Sequence, residues 1–280
     1  IESVAEQMRS GWIGPGEKTE EFERAVAKNV GIKYAVSTTS GTSAIMLALS
    51  SLNIRRRSTI LFPNYTFLAG ANAARFLGYK IRLVDIKEDT LCMDPDLIQI
   101  DDKVGAVMFV NHNGYVGEDV LRVKEICEEN MIPMIEDSSQ GIGVDSCGTV
   151  GDVGIFSLSV PKTITAGQGG IVVTDNSDTF LKLRKVRDHG DNWKKEKIHR
   201  SIGVNLKFND ILASYALSQL NRIEKIKQRK KEIWGWYRDR IDICEFGTDF
   251  TWMVIYRSKK AEKIILDLKN KGIQAVQHYI

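Results

Sequence analysis

Short apolar strands alternate with helices along most of this chain, and that alternation restricts its fold more than any other feature. "YAVSTTSG", "TILFP", "KIRLVDI", "GAVMFVN", "PMIEDSS" and "GGIVVTD" read as strands running into polar turns. Between them lie helical segments with apolar faces, among them "TEEFERAVAKNVG", "TSAIMLALSSL", "TFLAGANAARFLG" and "VLRVKEICEEN". Strands and helices in this succession build a mostly parallel sheet with helices packed on its faces, so the expected class is α/β. Thr19 reads as the cap of the first long helix and Gly31 as its stop. A long helical region is expected from about Asn209 to Arg240, then a strand at "FTWMVIYR" and a helix at "KKAEKIILDLKNKG". The expected organisation is a large domain over residues 1–223, and a linking helix with an incomplete small α+β domain over 224–280. A chain of 280 residues fits that division, because single cores stop growing near ~250–300 residues.

Composition narrows the function classes. At 43% hydrophobic and 27% charged residues the chain is ordinary globular protein, and a net charge of +3 does not by itself call for a polyanionic partner. Cys92, Cys127, Cys147 and Cys244 are scattered, and the histidines at 112, 189, 199 and 278 show no ligand spacing, so no metal site is expected. No apolar run is long enough to span a bilayer and no signal peptide is visible, which makes a reduced, cytoplasmic protein the expectation. The chain opens at Ile1 already in a helical pattern and ends mid-pattern at "GIQAVQHYI", as a piece of a longer protein would.

Ligands of parallel sheets bind beyond the carboxyl ends of the strands. That rule singles out three junctions: Ser40–Ser43, Asp137–Gln140, and the loop after "GIFSLSV". In "TTSGTSAIMLAL", Gly41 permits a tight turn, and Thr42 and Ser43 place hydroxyls at a helix N-terminus, where free N–H groups and the helix dipole favour a phosphate. An ordinary helix cap reads the same way. In "PMIEDSSQGIG", Glu136 and Asp137 end an apolar strand and point to opposite faces. A strand-end carboxylate can hold a protonated ligand nitrogen, or simply cap the next turn. In "SLSVPKTITAGQGG", Lys162 precedes a glycine turn. In a cleft, desolvation and nearby cations would lower its pKa and make it a nucleophile toward carbonyls; on a surface loop it would do nothing.

Phosphate cup, strand-end aspartate and loop lysine occur in that order, and together they match what pyridoxal phosphate needs: a phosphate site, a carboxylate for the ring nitrogen and a lysine for the aldehyde. Here the chain resembles the DegT/DnrJ-type sugar aminotransferases, fold type I pyridoxal-phosphate enzymes acting on nucleotide-linked keto sugars. The landmarks are "RSGWIGPGEKTEEFE", "SGTSAIMLAL", "PNYTFLAGANA", "VDI", "IEDSSQGIG", "GTVGDVGIFSLSVPKTITAGQGGIVVTD", "RDHG" and "GVNLKFNDILASYALSQL", eight in family order across nearly the whole chain. The resemblance implies that Lys162 is the Schiff-base lysine and that Asp137 faces the pyridinium nitrogen. It further implies that Gly41, Thr42, Ser43 and Ser157 hold the phosphate, that Phe67 stacks on the ring, and that Gln140 lies near the ring oxygen. Asn205 would reach the phosphate of a neighbouring subunit, which implies a homodimer with shared sites. The stretch from Arg187 and His189 through Lys194 and Lys195 would bring positive charge to that subunit's nucleotide sugar. Trp12 and His189 are further candidates for substrate contact. The implied reaction transfers an amino group, from glutamate with release of 2-oxoglutarate, to a nucleotide-diphosphate keto sugar in amino-sugar and polysaccharide biosynthesis. Two departures stand out: "AGQGG" replaces the family's "TGEGG", and family members continue past "HYI" with further sugar-contacting residues.

Three rival readings are weaker. "GWIGPGEKT" imitates a phosphate-binding P-loop, but five residues rather than four separate Gly11 from Glu17, and Glu17 stands where the motif has glycine. "KIKQRKKEIWGWYRDR" is basic with interleaved aromatics, as in a regulatory or nucleic-acid-binding relative that keeps the cofactor but has altered activity; at helical spacing the same residues make an ordinary solvated face. Some relatives dehydrate sugars instead, and those carry histidine in place of the lysine; Lys162 argues for amination.

Overall fold

The computed structural model describes residues 1–190, 201–245, 247–250 and 253–278. In chain order the elements are α1 (Glu2–Arg9), α2 (Glu17–Val30), β1 (Tyr34–Thr38), α3 (Gly41–Ser51), β2 (Thr59–Pro63), α4 (Ala69–Phe76), β3 (Lys80–Val84), β4 (Val104–Val110), α5 (Glu118–Glu129), β5 (Met134–Asp137), β6 (Val153–Ser157), β7 (Gly170–Thr174), α6 (Ser177–Arg187), α7 (Asp210–Leu220), α8 (Ile223–Arg238) and α9 (Ala261–Asn270). The seven strands form one mixed sheet in the order β1-β7-β6-β5-β4-β2-β3. All neighbouring pairs are parallel except those of β7, which runs antiparallel to both β1 and β6.

The strands read as near-continuous apolar runs because both faces of the sheet are covered. Val36, Ile60, Phe62, Met108, Ile135, Ile155 and Val172 point to one side, where Ala44, Leu47 and Ala48 of α3 and Leu183 of α6 meet them. Their chain neighbours point to the other. Ala35, Phe156, Ile171 and Val173 pack on α2 and α7 through Phe22, Val26, Ala213 and Leu217. Leu61, Val107, Phe109 and Met134 pack on α5 through Val120, Val123 and Cys127.

One consequence of the strand directions governs the site. The parallel strands end, and the antiparallel β7 begins, on the same side of the sheet. Thr38, Val110, Asp137, Ser157 and Gly170 therefore meet at one edge, although they are far apart in sequence.

Three local expectations are corrected. Thr19 is not the cap of α2: the helix starts at Glu17, and the buried carboxylate of Asp210 takes the N–H groups of Gly16 (2.8 Å), Lys18 (3.2 Å) and Thr19 (2.9 Å), together with the Thr19 hydroxyl (2.6 Å). The long helical region is two helices, α7 and α8, broken at Asn221 and Arg222. "FTWMVIYR" is not a strand where it is described: residues 253–258 are irregular, and Thr251 and Trp252 lie outside the described residues. Gly31 does end α2, in the left-handed conformation that glycine adopts without strain. Among the described residues no helix is long and apolar enough to cross a membrane.

Candidate active site

β1 runs into the turn Thr39–Ser43 and then into α3. Ser40 is the N-cap: its hydroxyl accepts from the Ser43 N–H (3.0 Å), and its carbonyl accepts from Ala44 N–H (2.9 Å). The hydroxyls of Thr39 and Ser43 lie 2.9 Å apart and those of Ser40 and Ser43 2.8 Å apart, a tight hydroxyl cluster on the first turn of a helix. Two glycines let other strands approach this turn. A Cβ on Gly41 would sit 3.1 Å from both Cβ and Oγ of Ser157, and a Cβ on Gly170 would sit 2.2 Å from the Ser40 carbonyl oxygen. Gly41, Thr42 and Ser43 of this turn thus lie against Ser157, with Thr42 exposed to solvent.

β5 presents its two acids differently. Glu136 is 0% exposed, and its carboxylate accepts from the N–H groups of Val150 (2.7 Å), Gly151 (2.7 Å) and Gly148 (3.2 Å) and from the Asn111 side chain (3.2 Å). Burial still raises its pKa, opposed by those donors. Asp137 is half-buried on the opposite face, and one of its oxygens accepts from Ser139 N–H (3.1 Å).

Lys162 lies in the loop between β6 and β7. Hydrogen bonds from Leu158 N to Gly169 O (2.9 Å) and from Ala166 N to Leu158 O (3.0 Å) close that loop, and Lys162 N donates to Ser159 O (3.1 Å). Burial lowers the pKa of Lys162, and the charge of Asp137 opposes the shift. The loop lysine therefore senses the charge of the strand-end aspartate at this edge.

Tyr65, His112 and His278 are additions that sequence reasoning did not place here. His112 follows the end of β4, is 0% exposed, and has its pKa pushed down to about 3, first by burial and then by His278. Its ring lies 5.4 Å from those of Tyr65 and His278, and the Tyr65 hydroxyl donates to the His278 carbonyl (3.0 Å). The pKa of His278 is lowered by burial and then by the charge of Lys162, which puts this ring cluster beside the lysine. The signal available in the sequence was position: His112 follows a strand's carboxyl end.

Other expected residues fall variously. Gln140 is held by Asn113, whose N–H donates to its Oε1 (2.6 Å). Phe67 is 64% exposed at the entrance to α4, and Trp12 is 57% exposed with its indole N–H on Pro15 O (3.2 Å). Asn205 and His189 are exposed in two loop segments that meet: Asp188 forms an isolated antiparallel bridge with Asn205, and His189 N donates to Val204 O (3.2 Å). Arg187 is a correction. It does not project as free positive charge but is buried on Glu23. Lys194 and Lys195 lie outside the described residues. The basic face of α8 is also engaged locally, with Arg229 over Trp236 (4.7 Å) and Arg238 over Trp234 (5.4 Å).

A helix-start cradle of hydroxyls, a half-buried aspartate and a lysine made less basic by burial lie at one sheet edge. Comparison with known proteins places the chain in a family. Residues 1–280 match the DegT/DnrJ/EryC1/StrS aminotransferase family, and the chain belongs to it. It is 28% identical to GDP-perosamine synthase of Caulobacter vibrioides, over 97% of this chain and 79% of that protein. It is 32% identical to the UDP-4-amino-4-deoxy-L-arabinose–oxoglutarate aminotransferase of Shewanella sediminis, over 85% of this chain but 65% of that protein, so it spans less than two thirds of the latter's length. The fold matches NtdA of Bacillus subtilis with bound cofactor PMP, with a TM-score of 0.89 and 24% identity, over 99% of this chain and 68% of that one.

Proposed function

We propose that this chain is a pyridoxal-phosphate-dependent aminotransferase that moves an amino group from glutamate to a nucleotide-linked keto sugar, yielding 2-oxoglutarate and an amino sugar. The observation that carries the proposal is Lys162: an amine made less basic by burial, beside Asp137, on the same sheet edge as the hydroxyl-lined turn. The cofactor fits these residues. Gly41 and Gly170 let Ser157 and the start of β7 close up against the turn, and the donors gathered there are neutral hydroxyls and helix N–H groups suited to a phosphate. When bound, it supplies an electron sink for the bonds at the donor's α-carbon.

The chain's own residues do the rest. The Thr39–Ser43 turn and Ser157 anchor the phosphate. Asp137 holds a proton on the ring nitrogen by its charge. Lys162, made less basic by burial, would hold the cofactor's carbonyl carbon through Nζ with loss of water, and the same Nζ would move the proton at the donor's α-carbon. Phe67 covers the ring, and the Tyr65–His112–His278 cluster keeps water from that side. Asn205 completes the phosphate site of a partner subunit in a homodimer, and Trp12 and His189 border the sugar. Residues 224–280 form the linking helix and part of a smaller domain.

The experiment is to mix the protein with pyridoxal phosphate, reduce with borohydride, and map the labelled peptide. Label on Lys162, together with ping-pong kinetics when glutamate and a nucleotide keto sugar are varied, is the expected result. Label on another lysine overturns the assignment.

A further inference from the structure

β1 is the edge strand of the sheet, laddered to β7 on one side and met on the other by an isolated bridge from Thr38 to Lys207. Such an edge leaves backbone groups without ladder partners. At Ser37 side chains take both groups. Glu23 Oε1, from α2, accepts from the Ser37 N–H (2.8 Å) and hydroxyl (2.7 Å). Arg187 Nη1, from the last turn of α6, donates to the Ser37 carbonyl (3.1 Å) and to the same Glu23 oxygen. The arrangement is deep: Ser37 is 0%, Glu23 8% and Arg187 9% exposed. Apolar side chains of similar volume commonly stabilise a fold as well as a buried ion pair does, so stability alone does not explain a charge pair here.

What the pair adjoins does. Ser37 stands two residues before Thr39, whose hydroxyl opens the cluster that ends at Ser43. The backbone carbonyl of Arg187 accepts from Leu206 N–H (3.0 Å), and Leu206 O accepts from Thr39 N–H (3.2 Å). Thr38 bridges Lys207, whose ammonium pairs with Asp188. One arginine therefore fixes two neighbours at once: the end of β1 through its guanidinium, and the segment bearing Asn205 through its backbone.

We propose that the Glu23–Arg187 pair positions phosphate recognition, setting where the Thr39–Ser43 turn and the Asn205 segment stand relative to each other. Neither residue touches the phosphate; both are positioning residues. The inference rests on the reading that this turn takes the cofactor phosphate.

The test compares equilibrium binding of pyridoxal 5′-phosphate with that of pyridoxal, which has the same ring and aldehyde and no phosphate, by the full chain and its variants. The wild type should prefer the phosphate form by about a hundredfold or more, the scale of several charge-assisted hydrogen bonds. Glu23→Gln and Arg187→Lys should each lose about tenfold of that preference, because Gln lacks the charge that holds Arg187 in place and Lys lacks the planar guanidinium that spans Glu23 and Ser37. Pyridoxal binding should stay within about twofold of wild type, since the ring contacts are untouched. An equal loss for both compounds would mean a merely structural role and overturn the proposal, as would an unchanged ratio. A wild type without any preference would instead sink the phosphate reading of the turn. If either variant fails to fold, Ser37→Ala decides: it removes one hydroxyl bond to Glu23 and should lower the ratio by about threefold, in keeping with a single hydrogen bond. No change in Ser37→Ala would overturn the proposal.

Discussion

At the scale of the residue, the site is a set of ionisation states fixed by burial. Lys162 is pulled down by desolvation and pulled back up by Asp137. Replacing Asp137 with Asn removes only the second effect, so Lys162 in the cofactor-free protein should titrate lower still. The pH dependence of acylation at Lys162, followed by peptide mapping, measures this; an unchanged or raised midpoint would show that the two side chains do not sense each other. Turnover of the loaded Asp137→Asn enzyme should fall by about 10²-fold, as when one preorganised electrostatic group is lost. His112 makes a prediction about stability. Its folded pKa is about 3 against an ordinary 6.5, so between those values the unfolded chain binds a proton that the folded chain refuses. Stability is therefore full above about pH 6.5 and declines as pH falls toward 3. His278, also lowered, adds in the same direction. From about pH 7 to pH 5 the loss attributable to His112 should be on the order of 1–2 kcal/mol. Denaturant unfolding of His112→Phe should show a shallower decline over that range, and an identical decline would place the titrating group elsewhere.

At the scale of the element, the active edge depends on backbones that come closer than side chains allow. Gly170 opens β7 directly against Ser40: a Cβ there would lie 2.2 Å from the Ser40 oxygen and 2.8 Å from Gly41 N, both backbone atoms that no rotamer change can move. Gly170→Ala should destabilise the protein by about 2 kcal/mol or more, and should weaken phosphate binding beyond what that loss of stability explains. Thermal unfolding with and without inorganic phosphate separates the two effects. The glycine turn, the strand-end aspartate and the loop lysine were legible because each is a local pattern: apolar strand, small polar turn, helix. What escaped was set by distant partners. Thr19 precedes a good helical run and looks like a cap, yet the group that caps α2 is Asp210, 191 positions away. Arg187 sits among basic residues and looks solvated, yet Glu23, 164 positions away, draws it inside. "FTWMVIYR" has strand composition, but composition does not supply a neighbouring strand, and residues 253–258 have none. His112 gave no ligand spacing, and only the sheet brings it to Tyr65 and His278.

At the scale of the whole molecule, the segments that carry candidate site residues expose large apolar side chains. Phe67 and Leu68 after β2, Val160 after β6 and Ile202 before α7 are all largely exposed. Large exposed apolar side chains suit a surface that another surface covers. A second copy of this chain, related by a two-fold axis, is the occupant that the proposed role of Asn205 requires, since Asn205 is exposed and its Oδ1 accepts from Lys207 N (3.4 Å). An exposed asparagine can complete a neighbour's phosphate site, while Lys162, tied into its own loop, serves the site of its own chain. Complementation tests this division. A Lys162→Ala subunit and an Asn205→Asp subunit should each be inactive alone. In a mixed dimer one site combines the intact Lys162 of one subunit with the intact Asn205 of the other, and the remaining site carries both defects. Random mixing makes half the dimers mixed, so recovery should approach about a quarter of wild-type activity. Absence of recovery, with subunit exchange demonstrated by differently tagged chains, would place Asn205 and Lys162 in the same chain's site and end the shared-site reading.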